Sequence, residues 1–500
     1  MLSSINAAIL ADDPYEILIS QMILLESQPK FVLETRRTEA DRFKAVLSDF
    51  DSKLSSLHTL MKTFTDLFSN PFKGRTVNGI DDTDGFSVSV TDQAAYGTHS
   101  LQINRLASTD SRVSKQLTSA GSELVNFFST NGSQTFSVDV ASPTTADPSN
   151  RESISVTVNP TGTDDEAILK EIRVAIDDAM DAAVTAGTIK STERASGATI
   201  NETSTTARLS VRSGQTGFSN RLTFTDSANG LLSLLEVNSA SVATGTNGGQ
   251  ITDVGTSETD SALNSKFILD GLTLYRSSNA VSDALEGITL SLAQTTTTAA
   301  DFTVEPDATG IETEVKDFIE KYNDVLAYIS GKAKVDAGTG TRGDFAGDST
   351  ITGLRFGMRN DMAFQVTGQP SGAPSFLRDL GIEISDDGTL ELTDSDTLIA
   401  AVQSDAGAVQ SLFDGTDGIA MRLTNRLDGF LGINGIIDVR QDALDDRINR
   451  LDDQIDRWDD LMAIRENQLR EQFARLQHVI AAFQGQQQLL NSFFFSRGIF

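Results

Sequence analysis

Histidine has the ordinary pKa best suited to general acid–base catalysis near neutral pH, and the chain has three, His58, His99 and His478. None of them stands in a pattern typical of a metal site or of a triad with a nucleophile. The chain has no cysteine, which excludes disulfides, thiolate zinc sites and cysteine nucleophiles. We therefore predict that the protein is not an enzyme and has no metal or catalytic centre.

One glycine-rich segment, Gly338 to Gly343, has the spacing of a dinucleotide-binding fingerprint. That fingerprint binds a cofactor only where it joins a buried strand to the start of a helix. Residues 332–336 make a poor buried strand, and residues 344–349 do not open a convincing helix. We predict a flexible loop and no cofactor. Arg342, Gly343 and Asp344 also spell an integrin-binding tripeptide, but such short motifs recur by chance.

An acidic cluster at Asp81, Asp82 and Asp84 resembles part of a calcium-binding loop. Ile80 occupies the position of the first acidic ligand, and Thr91 occupies that of the closing glutamate. Without those two ligands, a turn before a strand is the better interpretation.

Composition limits the classes of partner. The 500 residues are enough for several domains, and 70 Asp plus Glu against 40 Lys plus Arg give a net charge of −30. Nucleic acid and anionic membranes are poor partners for such a chain. No apolar run approaches the length of a membrane span, and the first basic residue is Lys30, so no cleaved signal peptide is expected. We expect secretion by another route.

Near the amino terminus, apolar residues alternate in steps of four and three, which predicts one face of a helix ended by Asn70 and Pro71. A second apolar patch, Ile17, Leu18, Met22 and Leu25, precedes it. The stripe of the longer helix comprises Phe43, Leu47, Phe50, Leu54, Leu57, Met61, Phe64 and Phe68.

Near the carboxyl terminus a longer stripe has the same steps, with Arg465 at one position and a four-residue stutter after Leu469. Neither stripe can be buried by its own helix, so we expect each to pack on the other terminus, with further burial between subunits. A stalk within one chain would explain the stripes equally well. The stripe comprises Leu444, Ile448, Leu451, Ile455, Trp458, Met462, Leu469, Phe473, Leu476, Ile480 and Phe483.

Between these helices, short alternating runs predict a β-rich centre, with one helix at about 164–183. A mixed segment at 311–413 contains a predicted helix at 315–329 and a strand and turn at 382–388. The fold class is therefore α+β and multidomain: an antiparallel coiled-coil stalk from both termini, a mixed joining segment and β-rich central domains. The predicted strands are 86–90, 100–104, 135–140, 153–158, 208–212, 221–225, 267–269 and 288–292.

The predicted domains are discontinuous in sequence. They are 1–42 with 431–500 as the stalk for export and filament contact, 43–75 with 307–430 as the joining domain, 76–110 with 251–306 as a β-rich domain, and 111–250 as an inserted outer domain.

Several phrases together resemble the flagellar hook-associated protein 2 family, the filament caps. The most specific is Asp260-Ser-Ala-Leu-Asn-Ser-Lys-Phe-Ile-Leu-Asp-Gly271, and the resemblance covers most of the chain except about 110–200. The other phrases lie at 96–107, 276–279, 287–292, 315–323, 380–390, 455–457 and 463–473.

The resemblance implies a secreted structural protein at the distal tip of the bacterial flagellar filament, where it promotes polymerisation of exported flagellin and prevents its loss to the medium. The implied partners are further copies in a pentameric or similar ring, flagellin, hook–filament junction proteins and an export chaperone. The two terminal stripes would then be the contacts. A surface adhesin acting through the β-rich domains, or another axial protein such as flagellin or a junction protein, remains an alternative.

Overall fold

The computed structural model describes residues 14–143, 150–336, 338 and 340–496, with side chains described from residue 15 to 491 in these ranges. The parts of the predicted stalk and export segment at residues 1–13 and 497–500 lie outside them. The chain divides into two compact units. Unit 1 combines the residues up to 72 with those from 308 onward, and unit 2 is 73–307.

Long helices occur mainly in unit 1, and most strands lie in unit 2. The helices are α1 (Pro14–Glu26), α2 (Gln28–Thr65), α3 (Glu123–Asn131), α4 (Asp165–Thr185), α5 (Leu231–Leu235), α6 (Ala308–Ala333), α7 (Ser349–Ala363), α8 (Ser395–Asp414), α9 (Ile419–Asp428) and α10 (Ile436–Ser496). The strands are β1 (Arg75–Asn78), β2 (Phe86–Val90), β3 (Gly97–Arg105), β4 (Thr109–Val113), β5 (Leu117–Thr118), β6 (Gln134–Ala141), β7 (Arg151–Val158), β8 (Ser196–Thr203), β9 (Thr206–Thr216), β10 (Thr223–Thr225), β11 (Gly249–Gln250), β12 (Ser265–Leu269), β13 (Leu272–Arg276), β14 (Ala280–Leu285), β15 (Ile288–Leu292), β16 (Ala300–Pro306), β17 (Ile382–Ile384) and β18 (Leu390–Leu392).

Unit 1 is built around α2, whose apolar stripe from Leu47 to Phe64 is buried against α6, α8, α9 and the first part of α10. Phe68, predicted as the last residue of this stripe, lies beyond the end of the helix and is exposed. Aromatic rings fill the end of this core: Phe72 stacks on Phe413 at 4.8 Å, and Phe64 meets Phe413 edge-on at 5.6 Å. The helix ends at Thr65, and the Asn70 amide donates to the carbonyl of Phe64 at 2.7 Å. The predicted stop at Asn70 and Pro71 therefore lies just beyond the true end of the helix.

Unit 2 contains two antiparallel layered cores. In the first, the sheet β1-β16-β3-β12-β13 faces the sheet β14-β15-β2 around Phe267 and Phe302. In the second, α4 covers the sheet β10-β6-β7 and the sheet β11-β4-β9-β5, to which β8 adds by pairing with β9. Ile168, Ile172 and Ile176 of α4, the residues that predicted this helix, are buried there.

The α+β multidomain prediction is confirmed, and each predicted central strand corresponds to a strand of the structure. The acidic cluster before β2 forms the predicted turn, in which the Asp81 N–H donates to the Asp84 carboxylate at 2.8 Å. The prediction of the amino-terminal apolar patch was wrong in detail. The buried residues of α1 are Ile19 and Ile23, whereas Leu18 and Leu25 are exposed.

Candidate assembly interface

The histidines of the folded core have structural partners. His58 Nε2 lies 2.8 Å from Asp428, and His99 Nδ1 lies 2.8 Å from Asp270. Burial alone would raise the pKa of Asp270, but the hydrogen bonds from His99 and the Ser100 amide outweigh it and hold that pKa below its ordinary value. These contacts tie neighbouring elements together.

The described residues of the glycine-rich segment, 338 and 340–343, lie outside helices and strands, and an isolated antiparallel bridge joins Val335 to Arg342. Helix α7 begins after the segment and is capped by Asp348, not by the glycines. The Asp344 carboxylate is buried and pairs with Arg42 at 2.6 Å, so the integrin-like tripeptide does not present it to solvent. Across the described ranges, no group of three or more acidic or histidine side chains is placed to hold a metal ion.

The terminal helices α2 and α10 run antiparallel and are joined by a ladder of ion pairs. Its rungs are Lys44 with Asp445, Arg37 with Asp452 at 2.8 Å, and Lys30 with Asp459. Both members of successive rungs are seven residues apart, which is the repeat of a coiled-coil face. The pKa of Lys30 is raised, because Asp459 and Glu34 outweigh the lowering effect of burial.

Farther along α10, the charges on the two sides of the ladder are exchanged. Here α1 supplies the acids: Glu26 pairs with Arg465 at 2.9 Å, and Glu16 pairs with Arg470 at 3.3 Å. The amino-terminal side is thus basic against α10 at one end and acidic at the other. This pattern favours the observed antiparallel direction over the reverse one, in which like charges would face each other.

Apolar contacts lie within this second part of the ladder, between its two ion pairs. Ile19 and Ile23 of α1 pack on Leu469, with Met22 and Phe473 at the edge of the cluster. The Tyr15 and Phe473 rings are 5.8 Å apart.

The structure separates the predicted contact residues into three groups. Buried inside unit 1, where no second molecule can touch them while the core is intact, are Leu47, Phe50, Leu54, Leu57, Met61, Phe64, Leu444 and Ile448. Packed wholly or partly along the terminal helices are Phe43, Leu451, Ile455, Trp458, Met462, Leu469 and Phe473. Exposed are Leu476, Ile480 and Phe483.

The exposed group belongs to a longer apolar face on the last third of α10. Leu476 is 46% exposed and Phe483 is 67% exposed, and Val479, Ile480 and Leu490 are exposed on the same side of the helix. Residues 476–496 contain no Asp, Glu, Lys or Arg, although the whole chain carries a net charge of −30. This uncharged apolar face is the candidate assembly interface. Within the described part of the chain, no helix meets the length and hydropathy that a bilayer crossing requires.

Sequence reasoning missed the ladder and the contacts of Ile19 and Ile23. The ladder had a visible signal, since Lys30, Arg37 and Lys44 repeat every seven residues, as do the three aspartates opposite them.

Unit 2 has an open groove of about 660 Å³ between β7, which is an edge strand of its sheet in the described structure, and α4. Ser155 and Thr157 line one wall, and Val174, Ala175 and Asp178 line the other.

Two family models match this chain. The one described as the flagellar hook-associated protein 2 C-terminus matches residues 262–485, and the one described as its N-terminus matches residues 14–110.

Curated relatives carry the same name. The B-type flagellar hook-associated protein 2 of Pseudomonas aeruginosa strain PAO1 is 27% identical over 483 residues, covering 92% of this chain and 91% of the relative. The A-type protein of Pseudomonas aeruginosa is 34% identical over 195 residues, which is 37% of this chain and only 40% of that relative. Among solved structures, the D1-D2-D3 domains of the flagellar cap protein FliD from Escherichia coli have a TM-score of 0.54 and 22% identity, covering 80% of this chain and 99% of that one.

Proposed function

Because this chain belongs to the flagellar hook-associated protein 2 family, we propose that it caps the distal tip of the bacterial flagellar filament and promotes polymerisation of exported flagellin there. The family is one of structural proteins of the flagellum, and the proposal includes no catalytic step. The alternative of flagellin or a junction protein is set aside, because both matching models describe hook-associated protein 2.

The observation that carries the proposal is the uncharged apolar face of α10 from Leu476 to Leu490, on a helix braced at its base by α1 and α2. A cap must hold the filament end and yet step after each insertion. Several modest apolar contacts suit that task better than one deep pocket, since each can be broken separately.

The finer parts of the proposal concern partners and domains. We propose that residues 1–42 with 431–500 form the stalk that contacts the filament and that copies of the chain form a pentameric or similar ring. The joining domain is proposed at 43–75 with 307–430, and the two β-rich domains at 76–110 with 251–306 and at 111–250. Flagellin, junction proteins and an export chaperone are the proposed partners.

Deletion of the gene in its own host tests the cap function. We expect electron microscopy to show no filaments while soluble flagellin accumulates in the medium. Normal filaments in the deletion strain would contradict the proposal. Complementation with the full gene is the control.

A surface variant tests the apolar face itself. Phe483→Ser should leave thermal unfolding unchanged, because the side chain is mostly exposed, but should shorten or abolish filaments in the complemented strain. Leu57→Asp is the contrasting variant: it buries an unpaired charge in the core of unit 1 and should unfold that unit, at a cost of about 4 kcal/mol or more. If the strain with Phe483→Ser made filaments of wild-type length, the contact with the filament would have to lie elsewhere on the chain.

Surface attachment is a second candidate function, favoured by the open groove between β7 and α4. A Val174→Lys variant should then bind immobilised mucin less well than the unaltered chain does. Equal binding by both proteins would remove this groove from consideration.

A further inference from the structure

Strand β7 has one open edge in the second core of unit 2. In the described structure it pairs with β6 on one side only, from Arg151 to Val158. Successive backbone N–H and C=O groups of a strand point alternately to its two sides, so every second residue of β7 directs these groups away from β6. They form a row with which another extended backbone can pair.

This open edge lacks the usual protection. Edge strands are commonly blocked by a charged residue, a proline, a bulge or a very short length. From Ser153 to Val158, β7 has neither a charged residue nor a proline, and its register with β6 is unbroken. The edge is therefore of the kind that accepts an added strand.

The groove between β7 and α4 lies along this edge. Ile154 and Val156 are buried in the core that α4 covers, whereas Ser155 and Thr157 alternate with them and point to the opposite face. Ser155 and Thr157 nevertheless line the groove together with residues of α4. The groove can reach them only around the edge of the strand, so its space of about 660 Å³ lies where an added strand would run.

The helix wall of the groove is small and apolar at its centre. Val174 is 41% exposed and lies in this wall with Ala175 and Ala179. Side chains of an added strand alternate between its two faces, and those on one face would rest on these three residues. Side chains such as valine and threonine, which favour strands, are short enough to fit there.

Charge favours a basic occupant over a second copy of this chain. Glu171 and Asp178 line the groove, and Asp178 is exposed. Lys170 also lines it, but its ammonium already pairs with Glu166 at 2.7 Å. A second copy, with a net charge of −30, would bring more negative charge to this wall.

We propose that β7 is a strand-addition site, at which an extended, basic peptide segment of another protein pairs with the open edge and lies against α4. Main-chain hydrogen bonds supply the affinity, and the helix wall selects small or β-branched side chains. The inference rests on the proposed surface-attachment function, because it names the class of ligand for the same groove.

Two N-methylated peptides test the pairing on the unaltered full chain. The parent probe has lysine at both ends and three alternating valine–threonine pairs between them, and its binding is followed by fluorescence anisotropy. One derivative is N-methylated at its valines and the other at its threonines, so each lacks one of the two alternating sets of N–H donors.

Only one set can face β7. We expect one derivative to bind as the parent peptide does and the other to bind about 30-fold more weakly, because three hydrogen bonds are lost. Equal affinity of the two derivatives, or no binding of the parent peptide, would overturn strand addition.

Variants of the chain test whether the peptide lies in this groove. Val174→Trp fills the helix wall and should weaken binding of the parent peptide by about tenfold or more. Ile200→Trp is the matched control, because Ile200 is 44% exposed on β8 and is not among the residues that line the groove. If both variants unfold at the temperature of the parent and bind the peptide equally well, the site is not this groove.

Other occupants would give different results. If a second copy occupied the edge, the unaltered chain would self-associate in sedimentation and the peptide would separate the copies, which would overturn a partner of another kind. Mucin binding is measured separately. A chain that binds the peptide as expected but not mucin would reject surface attachment alone, whereas one that binds mucin but not the peptide would reject strand addition alone.

Discussion

Asp110 and Arg112 form a buried ion pair that joins several segments of unit 2. Arg112 donates to both carboxylate oxygens of Asp110, at 2.8 and 3.1 Å, and the Leu222 amide donates to the same carboxylate at 2.8 Å. Arg112 also donates to the carbonyl of Ser239 at 3.2 Å. The pair thus connects β4 to the segments before β10 and after α5.

Removing one partner of this pair should destabilise unit 2 strongly. Asp110→Asn leaves the buried Arg112 charge without its counterion, which typically costs about 3–5 kcal/mol. Urea unfolding followed by circular dichroism measures the loss, with the exposed Asp82→Asn as control. A loss below about 1 kcal/mol would mean that water or rearrangement compensates the charge.

Asp348 gives unit 1 a defined response to acid. It caps α7 by accepting from the Thr350 and Ile351 amides at 3.0 and 3.1 Å, and it pairs with Arg440 of α10. Burial would raise its pKa, but the hydrogen bond from Arg440 and those from the amides hold the pKa below the ordinary value of 3.8. Its contribution is therefore complete above pH 3.8 and is lost as the pH falls through the lower folded value.

Asp348→Asn tests this response, because asparagine still caps a helix but cannot ionise. The variant should be less stable than the parent at neutral pH. The difference should shrink as the pH falls below 3.8, and urea midpoints at a series of pH values would show the two curves converging. If the stability curves of the variant and the parent stayed parallel until acid unfolded both, Asp348 would not be the group responsible for this response to acid.

The ladder of ion pairs between α2 and α10 should stabilise the packing of these two helices. Its pairs are at the surface, where water and salt screen the charges, so each should contribute little by itself. Arg37→Glu should lower the unfolding temperature by placing an acid beside both Asp41 and Asp452, and adding Asp452→Arg should restore the part of the loss that comes from the contact between the helices. The difference should vanish in about 1 M salt, where the screening length falls to about 3 Å. A double variant no more stable than the single one would show that the side chains at positions 37 and 452 do not interact.

Part of the helices and strands could be predicted, where a local period is clear. No pattern predicted α3, α7, α8 or α9, and the expectation that residues 344–349 do not open a helix was wrong, because Asp348 caps α7 there. The alternating residues of β2 and β15 predicted both strands with their correct bounds. Pairing could not be predicted, since β3 lies between β12 and β16, which are far away in sequence. A stripe such as that of α2 shows that a face is buried but not by what: α6, α8 and α9 share it with α10.

The contact face could be predicted only in part for a similar reason. One stripe runs from Leu444 to Phe483 with the same local pattern, yet its early residues are buried and its last ones are exposed. The difference depends on how far α1 reaches along α10, to Phe473 in the described structure, and no local pattern carries that information. The family resemblance, by contrast, was confirmed because it rests on phrases spread over most of the chain.

Division into two units predicts that each folds alone. Unit 2 begins and ends on paired strands: β1 and β16 align Arg75 with Pro306, and the Asp307 amide donates to the Gly74 carbonyl at 3.0 Å. Its two ends are therefore adjacent, and a linker of about four Gly and Ser residues can replace 73–307 within unit 1. Each unit has its own core of large buried side chains.

We expect the 73–307 fragment and the linked unit 1 each to unfold cooperatively in calorimetry, at temperatures matching two transitions of the full chain. A fragment that is unfolded on its own, while the full chain shows a single transition, would instead mean that the two units depend on each other for stability.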